Sequence, residues 1–313
     1  MGTSLRDDLE LFARGWRWGK RPLAPQTARP FQAPLEPKEY PTAWARTRPA
    51  KAARRVIQSG LLKPVVWNET DVAVEGLDVL ESLRPPVLFV SNHSSHLDAP
   101  LVLCSLPPAW RERTAVGAAA DYFFDVWWRA ASTALVFNAF PIERQGSGRG
   151  TETAKKLIGE GWNLVVFPEG TRSKDGWVQR FRHGTARLAE ETGVPIVPVA
   201  IRGAYAAMPR GRAWPRRGRF PITVRYGSPL VPEDDEDFRS LAGRVMQAVA
   251  RLWDEDRTDW YRSLRREAHG LTPSPSGPEA ARWRRIWEAS RPLPNRRKRR
   301  AWAPKTKAKA NAS

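Results

Sequence analysis

Five short apolar runs, separated by stretches with helical periodicity, constrain the fold of this chain more than any other feature. The runs lie at 87–90, 114–118, 164–167, 196–201 and 222–226. The helical stretches lie at about 98–106, 121–133, 151–160, 183–192 and 238–253. Strands that alternate with helices predict an α/β fold, in which a mostly parallel central sheet is flanked by helices.

The two ends of the chain differ in composition from this central part. Residues 1–60 are predicted to hold an amphipathic helix near residues 5–16 and a Pro-rich linker, and that helix either lies at a lipid interface or packs on the domain. Residues 61–265 contain the strand and helix pattern and form the predicted catalytic domain. Residues 266–313 are predicted to be a linker, a short helix with Trp283 and Trp287, and a disordered basic tail.

The chain is strongly basic, with 52 Lys and Arg against 33 Asp and Glu and a net charge of +19. Such an excess predicts an anionic partner, either nucleic acid or an anionic membrane surface. The 15 tryptophans favour the membrane, because indole rings gather at lipid interfaces and several stand beside basic residues. The alternative explanation is a solvated tail together with ordinary core packing of the tryptophans.

Targeting and cysteine content bound the setting of the protein. No segment has the character of a signal peptide, and the longest charge-free apolar stretch near the centre, Ala130–Ile142, is shorter than the roughly 20 residues of a membrane span. The single cysteine, Cys104, excludes an internal disulfide framework and a Cys-rich zinc module. We therefore expect a cytoplasmic protein that binds the inner face of the plasma membrane peripherally, with no transmembrane span.

The sequence SNHSSHLDA at 91–99 gathers His93, His96 and Asp98 directly after the first apolar run. Asp98 is predicted to cap the next helix, whose first turn tolerates the proline two residues later. If His93 lies in the turn before that helix, Asp98 can accept a hydrogen bond from one imidazole nitrogen and leave the other as a general base. An ordinary polar turn is the competing interpretation, and a zinc site would need a third ligand.

The sequence FPEGTRS at 167–173 follows another predicted strand. Gly170 allows a close approach of the backbone, and Thr171 and Arg172 can bind an anion together with backbone N–H groups. Glu169 can orient a substrate hydroxyl or a basic neighbour. Because ligands of α/β sheets bind at the carboxyl ends of the strands, this position favours a phosphate or carboxylate site over a charged surface loop.

Two further motifs are less specific when each is taken alone. FPIERQG at 140–146 leads Arg144 into a glycine-rich loop, which lacks the GK[ST] ending of a P-loop and is either a second anion ligand or a flexible connector. VPIVPVAIRG at 194–203 contains two prolines, which favour an edge strand or the entry to a strand. This segment either walls an apolar channel or belongs to the core.

The four motifs, in this order within about 110 residues, resemble those of the glycerolipid acyltransferases, whose type members are bacterial 1-acyl-glycerol-3-phosphate acyltransferases. Asn92, His93 and Asp98 satisfy the first family motif, Asn-His-x4-Asp. FPEGTRS matches the third motif at every position, whereas FPIER fits the second loosely. The resemblance covers roughly residues 60–255 and implies a layered α/β acyltransferase-type domain.

The resemblance implies transfer of a fatty acyl group from acyl-CoA or acyl-carrier protein to a hydroxyl of a lysophospholipid. The default acceptor is 1-acyl-glycerol-3-phosphate, which gives phosphatidic acid. His93, held by Asp98, would deprotonate that hydroxyl without an acyl-enzyme, and His96 would be a passenger. The resemblance assigns substrate binding to Arg144, Glu169, Gly170, Thr171 and Arg172, and it implies no metal and no cofactor beyond the acyl carrier as co-substrate.

Other hypotheses about the acceptor and the function remain open at this point. Another lysolipid, a glycolipid or a secondary-metabolite alcohol could replace the default acceptor. A basic nucleic-acid-binding protein would account for the charge but not for the motifs, and no nucleic-acid-binding module is visible. A catalytically silent lipid-binding protein is a further alternative. A serine hydrolase is excluded because no G-x-S-x-G is present.

Overall fold

Seven strands form one sheet at the centre of the protein, which the computed structural model describes at residues 40–143 and 149–294. The strands are β1 (Thr70–Glu75), β2 (Leu88–Ser91), β3 (Thr114–Ala119), β4 (Phe140–Ile142), β5 (Asn163–Val166), β6 (Ile196–Arg202) and β7 (Phe220–Tyr226). Their spatial order is β1-β7-β6-β2-β5-β3-β4, and every neighbouring pair is parallel except β6 with β7. The predicted mostly parallel α/β fold is confirmed.

Helices cover both faces of this sheet. In chain order they are α1 (Arg48–Ile57), α2 (Lys63–Glu69), α3 (Asp98–Ser105), α4 (Pro108–Arg111), α5 (Ala120–Phe123), α6 (Trp127–Phe137), α7 (Arg149–Gly159), α8 (Gly184–Thr192), α9 (Ala204–Ala207), α10 (Phe238–Arg257), α11 (Trp260–Ala268) and α12 (Arg282–Ala289). A π-helical turn joins α1 to α2. Core residues of α7, α8 and α10 pack on one face, and those of α2, α3 and α9 pack on the other.

The apolar runs are continuous because the strands are buried on both faces. In β2, Leu88 and Val90 belong to one core cluster and Phe89 to the other. Every residue of β2 is buried. A strand of a parallel sheet that lies between two helical layers needs apolar side chains in both directions, which removes the alternation of polar and apolar residues.

The prolines of 194–203 were predicted to mark an edge strand or a strand entry, and the edge assignment is wrong. β6 lies in the middle of the sheet, between β2 and β7. Pro195 does precede the strand, but Pro198 lies inside it. The Pro198 carbonyl accepts from Gly227 N–H at 2.9 Å, just beyond the end of β7. The proline therefore sits at the end of the ladder between β6 and β7, where its missing N–H costs only a terminal bond.

Three further details differ from the expectation. The sequence did not predict β1 and β4, which are the two edge strands of the sheet. The helix expected at 121–133 is instead two helices, α5 and α6. The interruption contains Asp125, whose Oδ1 accepts from Val126 N–H at 2.9 Å and whose Oδ2 accepts from Arg129 at 2.6 Å.

Helix α1 is fixed to the domain by polar side chains. Arg54 is only 4% exposed, and its guanidinium donates to the carbonyls of Leu135, at 2.8 Å, and Ala45. Gln58 donates to the Val136 carbonyl at 2.7 Å. The bonds to Leu135 and Val136 satisfy carbonyls at the end of α6, where a helix has no further N–H donors of its own.

Across residues 40–143 and 149–294, no helix is both long and apolar enough to span a membrane. The stripe predicted near residues 5–16 and the basic tail beyond residue 294 lie outside the described residues.

Candidate active site

His93 and Asp98 meet at the carboxyl end of β2. His93 lies in the loop after this strand, and Asp98 is the first residue of α3. The His93 Nδ1 lies 2.9 Å from Asp98 Oδ2. Asp98 is fully buried, whereas the His93 side chain is 20% exposed. An imidazole held through Nδ1 keeps its proton on that nitrogen and presents the lone pair of Nε2 outward.

The predicted capping role of Asp98 is wrong in one respect. The N-cap of α3 is Leu97, which makes no side-chain cap bond. Asp98 instead closes the turn before the helix, because its Oδ2 also accepts from the backbone N–H of Ser94 at 2.6 Å and of Ser95 at 2.8 Å. These bonds fix the carboxylate and thereby the orientation of the imidazole that it contacts.

Asn92 anchors the histidine loop to the sheet, a role that sequence reasoning missed. Its side-chain Nδ2 donates to the Ile201 carbonyl at 3.0 Å, and its Oδ1 accepts from Ile201 N–H at 2.8 Å. The amide thus satisfies both backbone groups of Ile201, its N–H and its carbonyl. The loop that carries His93 begins from this fixed point.

Phe167 and Glu169 bring the FPEGTRS loop against His93. Phe167 stacks on the imidazole, with ring centroids 4.3 Å apart. Glu169 is buried, and its Oε1 accepts from His93 N–H at 2.7 Å while its Oε2 accepts from Gln179 N–H at 3.0 Å. Burial raises the pKa of Glu169 to about 8, although both backbone bonds act in the opposite direction.

The rest of the FPEGTRS loop is adjacent to the two histidines. Gly170 has φ +70°, and a Cβ there would lie 2.9 Å from the Arg182 guanidinium, so that the turn needs glycine. Thr171 and Arg172 are both half-buried. Burial, assisted by the charges of Arg172 and His93, lowers the pKa of His96 to about 4. Arg172 and His93 therefore both lie close enough to His96 to affect its pKa.

The aromatic residues of α5 border the same place. His96 stacks on Tyr122 with centroids 6.0 Å apart and meets Phe123 edge to face at 6.3 Å. Tyr122 is 44% exposed. The histidine predicted to be a passenger thus links the His93 loop to an exposed aromatic surface.

The structure brings most of the predicted site residues together. Placed around one sheet edge are His93, Asp98, Glu169, Gly170, Thr171 and Arg172. Arg144 lies outside the described residues; the strand before it, β4, pairs in parallel with β3 and so ends at the same edge. In the described part of the chain, no three His, Cys, Asp or Glu side chains are grouped in a way that could hold a metal ion.

Comparison with known proteins matches this geometry to one family. The family model described as Acyltransferase matches residues 71–202, which run from β1 to the end of β6. In that range the chain is similar to glycerolipid acyltransferases. The matched range contains the His93–Asp98 pair and the FPEGTRS loop, and α12 lies outside it.

Individual relatives agree with the family assignment. A chloroplastic 1-acyl-sn-glycerol-3-phosphate acyltransferase of Brassica napus is 33% identical over 148 residues, which are 46% of this chain and 40% of the relative. A corresponding Arabidopsis thaliana protein is 32% identical over 45% of this chain and 38% of its own length. The chain thus spans about two fifths of the length of these curated relatives.

A solved structure has a fold similar to that of this chain. The crystal structure of the 1-acyl-sn-glycerophosphate acyltransferase PlsC from Thermotoga maritima superposes with a TM-score of 0.55 at 26% sequence identity. The similarity covers 70% of this chain and 88% of the Thermotoga protein.

Proposed function

We propose that the protein is an O-acyltransferase that acylates the free hydroxyl of a lysophospholipid. We infer 1-acyl-glycerol-3-phosphate as the acceptor and phosphatidic acid as the product, because the relatives just described carry that activity in their names. The observation that carries the proposal is the 2.9 Å contact between His93 and a fully buried Asp98. That pair stands beside an intact FPEGTRS loop at the sheet edge where α/β proteins bind ligands.

The chemistry follows from the free imidazole nitrogen. His93 Nε2 removes the proton of the acceptor hydroxyl as its oxygen attacks the thioester carbonyl of the donor. The C–O bond forms, the C–S bond breaks, and the proton passes from His93 to the departing thiolate. Asp98 stabilises the imidazolium that exists between these events. The carrier is acyl-CoA or acyl-carrier protein, and no other cofactor is needed for this balance.

The FPEGTRS loop is suited to the acceptor's phosphate. Arg172 supplies a cation beside the base, and Gly170 lets the backbone approach a ligand closely. Thr171 adds a hydroxyl that can donate a hydrogen bond to a phosphate oxygen. We assign Arg144 as a second cation for the same phosphate. This assignment rests on its sequence position after β4, which ends at the same sheet edge.

A thiol-release assay tests the proposed function. Purified protein is mixed with acyl-CoA or acyl-carrier protein and with a panel of lysolipids, glycolipids and simple alcohols, and His93→Ala serves as the blank. We expect release with 1-acyl-glycerol-3-phosphate from the wild type and none from His93→Ala. Equal release by both proteins, or no release with any lysophospholipid, would refute the proposal.

The role of Arg172 is tested in the same assay. Arg172→Ala should raise the KM for the acceptor by about tenfold or more, the usual cost of losing a charge-assisted bond to phosphate, and leave the KM for the acyl donor nearly unchanged. An unchanged acceptor KM would contradict the phosphate role.

We further propose that the enzyme acts at an anionic membrane surface on the cytoplasmic side. The net charge of +19 supports this, as do exposed aromatic side chains of the described part, including Trp127 at 56% and Trp283 at 72%. Deleting residues 291–313 should reduce binding to anionic vesicles at low salt. Undiminished sedimentation with such vesicles would mean that the tail is not the anchor.

A further inference from the structure

A segment beyond the matched acyltransferase region packs on the loop that follows FPEGTRS. We call residues 275–289 the C-terminal clasp. Its Pro275 carbonyl accepts from Val178 N–H at 3.2 Å, and the Arg285 carbonyl accepts from Trp177 Nε1 at 3.1 Å. The fit is close at both ends, because a Cβ on Gly277 would lie 2.3 Å from the Trp177 ring. The clasp is therefore in direct contact with the segment that follows the FPEGTRS loop.

One residue of the clasp carries most of its polar connection. Arg285 Nε donates to Asp175 Oδ2 at 2.7 Å. The two terminal nitrogens donate to the carbonyls of Pro278 and Ser276, each at 2.7 Å. The side chains of Arg285 and Asp175 are only 22% and 14% exposed. The planar guanidinium thus binds a carboxylate on one edge and holds its own segment folded on the other.

Asp175 in turn organises the end of the FPEGTRS loop. Its Oδ1 accepts from Ser173 Oγ at 3.0 Å and from Trp177 N–H at 3.3 Å, and it lies 3.4 Å from Gln179 Nε2. Burial alone would raise the pKa of Asp175, but the Arg285 bond and these local bonds outweigh it and lower the pKa. A residue 110 positions away thus contributes to the lowered pKa of Asp175.

Two bonds connect these residues to the proposed base. Ser173 N–H donates to the His93 carbonyl at 2.8 Å. Gln179 N–H donates to Glu169 Oε2, and the other oxygen of Glu169 accepts from His93 N–H. Both routes from Asp175 therefore end on the backbone of His93. Residues 171 and 172, which are proposed to bind the acceptor, lie between these two fixed points.

We propose that Arg285 is a positioning residue for the acceptor site. Through Asp175 it holds the loop of Thr171 and Arg172 in register with His93, so that the phosphate and the attacking hydroxyl are presented together. The inference rests on the proposed function for its kinetic consequence, although the clasp contacts themselves do not. It assigns a role in acceptor binding to a segment that lies outside the matched residues 71–202.

The chain offers a matched control for the test. Arg284 adjoins Arg285 on α12, but it is 60% exposed and donates to Glu288 of the same helix. The experiment compares Arg285→Ala, Asp175→Asn and the double variant with Arg284→Ala in the full-length protein. The measured quantities are the acceptor KM, the donor KM and kcat, together with amide hydrogen exchange of residues 169–179.

We expect Arg285→Ala to raise the acceptor KM about tenfold, the scale of one partly buried charge-assisted bond, with the donor KM within about twofold of wild type. Asp175→Asn should cause a similar change, and the double variant should be no worse than the poorer single variant, because both break one contact. Arg285→Lys should recover part of the loss, since it restores the charge but not the three-point fork.

The outcomes separate the clasp from the proposed reaction. Turnover by the wild type with the same acceptor KM in Arg285→Ala and Arg284→Ala would refute the positioning role alone. A fall in thermal stability with no change in acceptor KM would do so as well. If no lysophospholipid is acylated by the wild type, the reaction is wrong, and exchange still decides the clasp. Faster exchange of residues 169–179 in Arg285→Ala than in Arg284→Ala supports it, and equal exchange overturns it.

Discussion

Replacing Glu169 by Gln tests how the FPEGTRS loop serves the proposed base. Both oxygens of this buried carboxyl group accept backbone N–H bonds, one from His93 at 2.7 Å and one from Gln179 at 3.0 Å, and each oxygen keeps a lone pair for this when the group is protonated. A glutamine of the same shape offers one carbonyl oxygen and one NH2 group. Whichever way it is turned, one of the two backbone donors then faces another donor.

The cost of that conflict can be estimated from a single buried donor left without an acceptor, which is about 1–3 kcal/mol. The donor left without an acceptor is then either the N–H of His93 or the N–H of Gln179. Because small misplacements of a catalytic group cost up to about a hundredfold in rate, we expect kcat to fall by about ten- to a hundredfold. The acceptor KM should change by less than about threefold.

The assay is steady-state thiol release combined with urea unfolding of the same preparations. Glu190→Gln is the control, since Glu190 is exposed on α8. We expect the midpoint of unfolding to fall for Glu169→Gln and to stay in place for the control. A raised acceptor KM with unchanged kcat and stability would refute the reasoning, because it would mean that Glu169 contacts the acceptor instead of the His93 backbone.

Three further outcomes are expected. Burial raises the pKa of Glu169 from 4.5 to about 8, so the folded state binds this proton more tightly than the unfolded state does. The stability that the bound proton contributes is complete below pH 4.5 and is lost as the pH rises through about 8. The urea midpoint of the wild type relative to that of Glu169→Gln should therefore decline from about pH 5.5 to about 8.5, and a difference that rises would contradict this. Arg54→Met should lower the free energy of unfolding by about 2–3 kcal/mol, because it leaves two carbonyls without a donor. Arg55→Met, on the exposed face of α1, should leave the unfolding midpoint nearly unchanged. Similar midpoints for the two variants would count against the anchoring role of Arg54. His96→Ala should retain most of the activity that His93→Ala abolishes, because burial lowers the pKa of His96 to about 4 and makes it a weak base. Equal losses of kcat/KM in the two variants would remove the assignment of His93 as the base.

The strands that could be predicted from the sequence are those buried on both faces. The runs of β2, β3, β5, β6 and β7 are apolar because two helical layers cover them. β1 reads TDVAVE and is only partly buried at the edge of the sheet, and β4 has three residues. Neither contains enough apolar side chains to stand out from its surroundings.

The active site divides in a similar way. The His93–Asp98 contact was predictable because it joins residues five positions apart across one turn. The anchoring of Asn92 on Ile201 spans 109 positions and depends on β6 lying beside β2. No local pattern encodes that adjacency, which results from the order of strands in the sheet. The same holds for the contact between Arg285 and Asp175.

The burial of Cys104 has a practical consequence for measuring the proposed activity. The only thiol of the chain is fully buried, and burial raises its pKa to about 11, so that almost no thiolate is present at neutral pH. A chromogenic disulfide reagent that detects the released carrier thiol will therefore not titrate the folded protein. A slow rise in absorbance in a reaction without acyl donor therefore comes from molecules in which Cys104 has become exposed by unfolding. This control reaction measures how much of the sample is still folded.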